Sequence, residues 1–129
     1  MLDHISLCVA DVARAQTFYD RALAPLGISV MMSVSAEETG GEAFMGYGSD
    51  GRPYFWISGG TPLTGRLHVA FTAEDRASVD AFYAEALAAG GRDNGGPGVR
   101  PHYHPNYYGA FVLDPDGHNI EAVCHAPPA

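Results

Sequence analysis

Positive charge is scarce in this sequence. The chain of 129 residues has 7 lysines and arginines against 15 aspartates and glutamates, a formal net charge of −8. A field of this sign repels nucleic-acid backbones and anionic lipid surfaces, so we expect neither as a partner. No apolar run approaches the roughly 20 residues of a membrane span, and the first residues lack the features of a secretory signal. The sequence therefore predicts a cytoplasmic protein.

Cysteine is also rare, and signs of disorder are missing. Cys8 and Cys124 lie in apolar stretches, so we expect reduced, buried thiols, with one disulfide between them as the alternative. Hydrophobic residues make 47% of the chain and charged residues 17%, which excludes a disordered chain or a coiled coil. The length suits one hydrophobic core, so we predict a single domain over residues 1–129.

The chain repeats itself once. When it is displaced by 64 positions, nine residues of the first half fall on identical residues of the second half without a gap. The matching pairs are His4 and His68, Asp11 and Asp75, Ala13 and Ala77, Phe18 and Phe82, Tyr19 and Tyr83, Ala22 and Ala86, Leu23 and Leu87, Ala24 and Ala88, and Gly27 and Gly91. We therefore predict two related modules, residues 1–60 and 65–126.

Each half has the pattern of a strand, a helix and three further strands. In the first strand of each half, apolar residues alternate with less apolar ones. The helix that follows begins after a capping aspartate, Asp11 or Asp75, and ends at glycine. Strands are predicted at 2–9, 28–34, 42–47 and 54–58, and again at 67–72, 99–103, 108–113 and 119–125, with a loop at 93–98 and a tight turn at 114–117. The sequence thus predicts an α+β fold of two βαβββ modules.

Three polar side chains share the side of the sheets that the helices leave open. His4 and His68 lie on the less apolar face of the first strands, and Glu121 lies opposite an apolar face of the last strand. Two imidazoles and one carboxylate suit Fe²⁺, Mn²⁺, Ni²⁺, Co²⁺ or Zn²⁺ and leave positions free for substrate oxygens. We therefore predict a metal site. The alternative is that the histidines are hydrogen-bonded structural groups and Glu121 is a rim carboxylate.

A segment rich in histidine and tyrosine precedes one of the last strands. Residues 100–108 (RPHYHPNYY) contain two histidines and three tyrosines. Histidine changes charge near neutral pH and tyrosine can donate to an oxyanion, so we predict that His104 and Tyr108 are catalytic pocket groups together with Glu121. A surface loop with aromatic packing is the alternative.

These features together resemble the vicinal oxygen chelate superfamily, which includes glyoxalase I, extradiol dioxygenases, and fosfomycin- and bleomycin-resistance proteins. The resemblance rests on residues 4–9 (HISLCV), Phe18-Tyr19, residues 67–71 (LHVAF) and residues 113–121 (LDPDGHNIE). It implies that the modules form a curved half-barrel of mixed sheet. It also implies a divalent metal held at the positions of His4, His68 and Glu121.

One departure from the family pattern narrows the expected chemistry. Glyoxalase I enzymes take a fourth ligand, a glutamate, from the last strand of the first module, whereas residues 52–58 (RPYFWIS) offer no carboxylate. The three-ligand pattern is more similar to the dioxygenase and fosfomycin-resistance branches. The resemblance therefore implies lyase, isomerase, thiol-transfer or dioxygenase chemistry, in which the metal stabilises an enolate or oxyanion of a small substrate.

Other functions and the assembly stay open at this point. A metal-free protein that sequesters a small molecule, as in the bleomycin-resistance branch, is one alternative, and a fold that only mediates assembly is another. The family pattern also implies a homodimer. In a dimer, His4 of one chain can join His68 and Glu121 of the other, or the site can lie within one chain.

Overall fold

A computed structural model describes residues 1–129, and it has the predicted α+β fold. The strands are β1 (Ile5–Val9), β2 (Ser29–Val34), β3 (Phe44–Ser49), β4 (Arg52–Gly59), β5 (His68–Thr72), β6 (Arg92–Asp93), β7 (Gly98–Val99), β8 (Tyr108–Leu113) and β9 (Asn119–Cys124). The helices are α1 (Val12–Leu23), α2 (Ala36–Thr39) and α3 (Arg76–Ala88), with a 3-10 turn at Ala24–Leu26. None of the helices has the length and apolar character needed to cross a membrane.

The two halves of the chain form two sheets with the same plan. The first sheet has the order β1-β4-β3-β2, and the second has the order β5-β9-β8-β6, with β7 also paired to β8. The first strand of each half runs parallel to the last, and the other pairs are antiparallel. The internal repeat in the sequence therefore corresponds to a repeat in the topology, and neither sheet closes into a barrel.

Both long helices begin as the sequence predicts. The carboxylate of Asp11 accepts the backbone N–H of Arg14, and that of Asp75 accepts the N–H of Ser78. These bonds satisfy amides that a helix start leaves unpaired. The apolar stripes of α1 and α3 pack against each other and against the sheet of their own module, so one cluster of 21 buried residues draws on both halves.

The opposite face of each sheet has no helix over it. In β1, Ser6 and Cys8 are exposed while Leu7 and Val9 are buried, because alternate side chains of a strand point to opposite faces. In β5, His68, Ala70 and Thr72 are exposed in the same way. The two uncovered faces, one for each module, are therefore the surfaces available for binding.

The prediction that Cys8 is buried is wrong, whereas the prediction for Cys124 is confirmed. Cys8 lies on the uncovered face of β1, where the strand alternation puts it in solvent, and Cys124 is 1% exposed in the core. Both thiols are free, so the alternative of a disulfide between them is excluded in this structure.

The region from residue 92 to residue 107 also differs from the predictions. The predicted strand 99–103 is reduced to β7, because Pro101 has no N–H to pair and the N–H of Arg100 donates to the carbonyl of Tyr107 at 2.7 Å, which closes a loop. Part of the predicted loop 93–98 instead pairs with β8.

The short helix α2, capped by Ser35, was not predicted.

Candidate functional site

The register of the second sheet brings His68 and Glu121 together. β5 runs parallel to β9, with His68 opposite Asn119 and Ala70 opposite Glu121. From these positions on one face, His68 Nε2 reaches to 2.8 Å from Glu121 Oε1. The imidazole side chain is 50% exposed, whereas the carboxylate is 1% exposed. The pair therefore joins a buried acidic group to an imidazole that faces solvent.

Tyr107 holds the other oxygen of the buried carboxylate. Its hydroxyl donates a short hydrogen bond to Glu121 Oε2, and Phe111 lies opposite Glu121 in β8. Burial, and then the hydrogen bond to Glu121, raise the pKa of Tyr107 well above the ordinary value of tyrosine. The hydroxyl consequently stays protonated at neutral pH and keeps donating. Burying a carboxylate is unfavourable unless it is hydrogen-bonded, and here both oxygens have a partner.

A cavity of about 590 Å³ opens beside this group. It is lined by four histidines and two tyrosines together with Phe111 and Glu121. Most of its lining consists of planar rings that have polar edges and carry no fixed charge. Such a cavity can hold a small molecule and exchange protons with it. We call it the second-module cavity.

His104 lines this cavity as part of a pair with His125. His104 Nε2 lies 2.7 Å from His125 Nδ1, and the rings stack with centroids 4.9 Å apart. The backbone N–H of Asn106 donates to His104 Nδ1 at 3.1 Å. Because Nδ1 accepts this bond, neutral His104 carries its proton on Nε2 and donates it to His125. The pair is therefore a hydrogen-bonded chain that begins at the backbone and ends at the second nitrogen of His125.

Tyr108 lies on the other side of the sheet. Its hydroxyl donates to Asp80 Oδ1 on α3 at 2.6 Å, and the guanidinium of Arg76 lies 4.9 Å from the centre of its ring. Tyr108 does not line the second-module cavity. The strand pattern contained the signal for this placement: Ala110 and Val112 are core residues, so Tyr108 shares their face, and Tyr107 falls on the face of Glu121.

His4 lies apart from the His68–Glu121 pair within one chain. Its Nδ1 is 2.7 Å from Asp3 Oδ1, and this hydrogen bond is the main cause that lowers the pKa of Asp3. His4 lines a different cavity, of about 520 Å³, on the uncovered face of the first sheet. The chain contains no group of three or more His, Cys, Asp or Glu side chains that is close enough to hold a metal ion. One chain thus brings together two of the three predicted ligands.

The first module has a tryptophan where the second has Glu121. Ser6 lies opposite Trp56 in the first sheet, as Ala70 lies opposite Glu121 in the second. Because His4 matches His68 in the repeat, Trp56 takes the place of the carboxylate. The first module therefore carries an indole, which is not a metal ligand, where the second module carries a carboxylate.

Comparison with known proteins identifies similar sequences and folds. The family model of the Glyoxalase/Bleomycin resistance protein/Dioxygenase superfamily matches residues 1–122. Among curated proteins, no sequence matches the chain.

Three solved structures illustrate the similarity. A glyoxalase/bleomycin resistance protein from Albidiferax ferrireducens T118 is 28% identical, with a TM-score of 0.79 over 98% of this chain and 99% of that one. The fosfomycin resistance protein FosX from Listeria monocytogenes, solved with Mn(II) and sulfate, is 20% identical, with a TM-score of 0.70 over 98% and 93%. Glyoxalase I from Zea mays is also 20% identical, with a TM-score of 0.70 over 95% of this chain and 45% of that one. The last two show a likeness of fold alone.

Proposed function

Because the chain belongs to the glyoxalase/bleomycin resistance protein/dioxygenase superfamily, we propose that it is a divalent-metal-dependent enzyme acting on a small substrate with metal-chelating oxygens. The observation that carries the proposal is the His68–Glu121 pair, with 2.8 Å between Nε2 and Oε1 at the wall of an open cavity. An imidazole and a carboxylate suit Fe, Mn, Ni, Co or Zn as divalent ions. His68 and Glu121 are therefore suitable metal ligands, but a third ligand is missing from the same chain.

His4 of a second copy of the chain is proposed as the missing ligand. In one chain the helices pack together while the uncovered faces carry His4 on one sheet and His68 with Glu121 on the other. In a two-fold homodimer, the first module of each protomer can pair with the second module of the other. The uncovered face of a first module then meets that of a second module at two equivalent places. Each dimer then has two equivalent sites, each made of His4 from one protomer and His68 and Glu121 from the other.

The residues around the site have separable roles in this proposal. The metal would act as a Lewis acid toward oxygens of the substrate. Tyr107 fixes the orientation of Glu121 through its hydrogen bond, as partners of metal ligands commonly do. His104 and His125 give the cavity a route for proton exchange with solvent. Tyr107 takes the pocket role that the sequence assigned to Tyr108.

The class of reaction is lyase, isomerase, thiol-transfer or ring-cleaving dioxygenase chemistry. Each of these needs an enolate or oxyanion to be stabilised next to a site with free coordination positions. Glyoxalase I activity is not part of the proposal, because Trp56 stands where the fourth carboxylate is needed. The proposal places the enzyme in the cytoplasm, where thiols such as Cys8 and Cys124 stay reduced.

Metal stoichiometry tests the proposal. Purified protein is loaded with Mn²⁺ or Zn²⁺, freed of excess ion, and analysed by mass spectrometry of the metal; we expect about one ion per protomer, since each dimer has two sites. His68→Ala and Glu121→Gln are expected to lose the ion. Tyr108→Phe is the control, because its hydroxyl bonds Asp80 away from the cavity.

Circular dichroism shows whether each variant is folded. If folded wild-type protein takes up neither ion, or if both ligand variants keep the full amount, the metal proposal fails. The protein is then better described by the alternative of a metal-free protein that binds a small molecule.

A further inference from the structure

The cavity on the first module has an aromatic wall that the metal chemistry does not use. This first-module cavity, of about 520 Å³, is lined by Trp56 and Phe44 together with Asp3, His4, Arg52 and small residues. Phe44 is 39% exposed. A single exposed aromatic side chain is ordinary, but two large rings at one cavity indicate a surface that binds an apolar partner.

The position of Trp56 is fixed by the strand beside it. β4 buries Phe55 and Ile57 and turns Trp56 to the uncovered face. Its ring packs directly on Gly46 of β3: a Cβ atom at residue 46 would stand 2.8 Å from Cζ2 and 2.9 Å from Cε2 of the indole. Only glycine allows this approach. One side of the indole therefore rests on the sheet, and the other side is available to the cavity.

Arg52 supplies a cation to the same cavity. No carboxylate lies within ion-pair distance of its guanidinium. The carboxylate of Asp3, which lines the same cavity, is hydrogen-bonded to His4 at 2.7 Å, and the more distant charge of Arg52 adds a small contribution to the lowering of its pKa. A guanidinium that lines a cavity and forms no salt bridge can pair with a carboxylate on the ligand.

We propose that the first-module cavity binds an aromatic carboxylate, with the ring against Trp56 and Phe44 and the carboxylate against Arg52. An aromatic carboxylate would thus be the substrate class of the proposed enzyme. This inference rests on the proposed function in one respect: only in the proposed dimer does the first-module cavity lie beside the metal. The position that would carry a fourth metal ligand instead carries the ring that recognises the substrate.

The single tryptophan makes the proposal directly testable, because the chain gives only one indole N–H signal in a ¹⁵N–¹H spectrum. Metal-free protein is titrated with benzoate, with benzamide, which lacks the charge, and with cyclohexanecarboxylate, which lacks the planar ring. We expect benzoate to shift the indole signal and to bind about two- to tenfold more tightly than either analogue.

Two variants assign the binding to the named residues. Trp56→Leu keeps an apolar side chain without the ring, and Arg52→Gln removes the charge; calorimetry is expected to give about two- to tenfold weaker benzoate binding for each. Arg21→Gln is the control, since Arg21 is engaged with Glu85 between the helices, and it is expected to bind benzoate like the wild type.

Three results would overturn the proposal. They are an indole signal that benzoate does not shift, equal binding of benzoate and cyclohexanecarboxylate, and unchanged affinity in Trp56→Leu. Because the titration uses metal-free protein, a negative result with benzoate does not contradict the proposed metal site. Failure to take up metal likewise leaves the selectivity for benzoate standing.

Discussion

Tyr19 connects two motifs that are far apart in the sequence. The residue is fully buried, and its hydroxyl donates to Asp114 Oδ2 at 2.5 Å. The other oxygen of Asp114 accepts the backbone N–H groups of Asp116 and His118 at 2.9 and 2.8 Å. The tyrosine of the first helix therefore holds the turn that leads into β9. This contact joins the Phe18-Tyr19 motif of the first module to the motif of residues 113–121 in the second module.

Tyr19→Phe is expected to lower the free energy of unfolding by about 1–3 kcal/mol, because a buried carboxylate loses a donor. Burial, and then the negative charge of Asp114, raise the pKa of Tyr19 well above its usual value. The difference from the wild type is therefore complete below the unfolded pKa of about 10, and it is lost only as pH rises through the higher folded pKa. Urea unfolding at several pH values measures it.

Tyr103→Phe is the control for this prediction, because Tyr103 is 58% exposed. We expect it to unfold at the same urea concentration as the wild type. Equal stability of Tyr19→Phe and wild-type protein at pH 7 would show that the bond to Asp114 contributes nothing net.

Among the secondary-structure elements, helix α3 and strand β8 approach each other closely because residue 91 is a glycine. A Cβ atom at residue 91 would stand 2.6 Å from Phe18 Cε1, 2.6 Å from Val112 Cγ1 and 2.8 Å from the carbonyl oxygen of Ala86. One of these atoms belongs to the backbone, so local side-chain movement cannot relieve the clash. The sequence marks Gly91 as a helix end, and the structure adds that it is a packing contact between both modules.

Gly91→Ala is accordingly expected to destabilise the protein by about 1–3 kcal/mol, the usual effect of overpacking a core. Gly41→Ala is the control, since no atom lies within 4 Å of a Cβ atom built there. Thermal or denaturant unfolding of the two variants measures the effect. A Gly91→Ala protein as stable as the control would mean that the neighbouring atoms can shift at little cost to accept a methyl group.

Sequence patterns predicted the elements better than they predicted the connections. Alternation along β1 and β5 assigned His4 and His68 to the uncovered faces, because the period of a strand is fixed by its backbone. The same rule applied to β8 separates Tyr107 from Tyr108. The loop that follows β7 was not predictable in this way, since its course depends on the bond from Arg100 to Tyr107 and on Pro101. The alternation of apolar and polar residues along a strand also does not predict which of the two uncovered sheet faces would contact the other in a dimer.

The whole molecule has two unlike uncovered sheet faces, and subunit mixing tests whether they meet across a dimer. His4→Ala and Glu121→Gln protomers are each expected to bind no metal. Co-refolded in equal amounts, they are expected to recover about a quarter of the wild-type capacity, because half of the dimers are mixed and each mixed dimer has one intact site. Metal analysis and the elution volume of the mixture measure this.

The two parent variants, refolded separately, are the controls for this mixing. If a mixture that does form dimers recovers no metal, a site shared between protomers is contradicted. Elution of the wild type as a monomer at every concentration would contradict a shared site altogether.

The ion pair between the two long helices makes the two halves of the chain complementary to each other. Arg21 Nη2 lies 2.6 Å from Glu85 Oε2, and the two residues are 64 positions apart, the spacing of the repeat. Equivalent residues that touch must lie beside the pseudo-symmetry axis of the molecule. Two copies of the first half would oppose arginine to arginine there, and two copies of the second half would oppose glutamate to glutamate. This half-exposed ion pair therefore favours, by the modest amount of a surface salt bridge, the association of each half with the unlike half over the association of two identical halves.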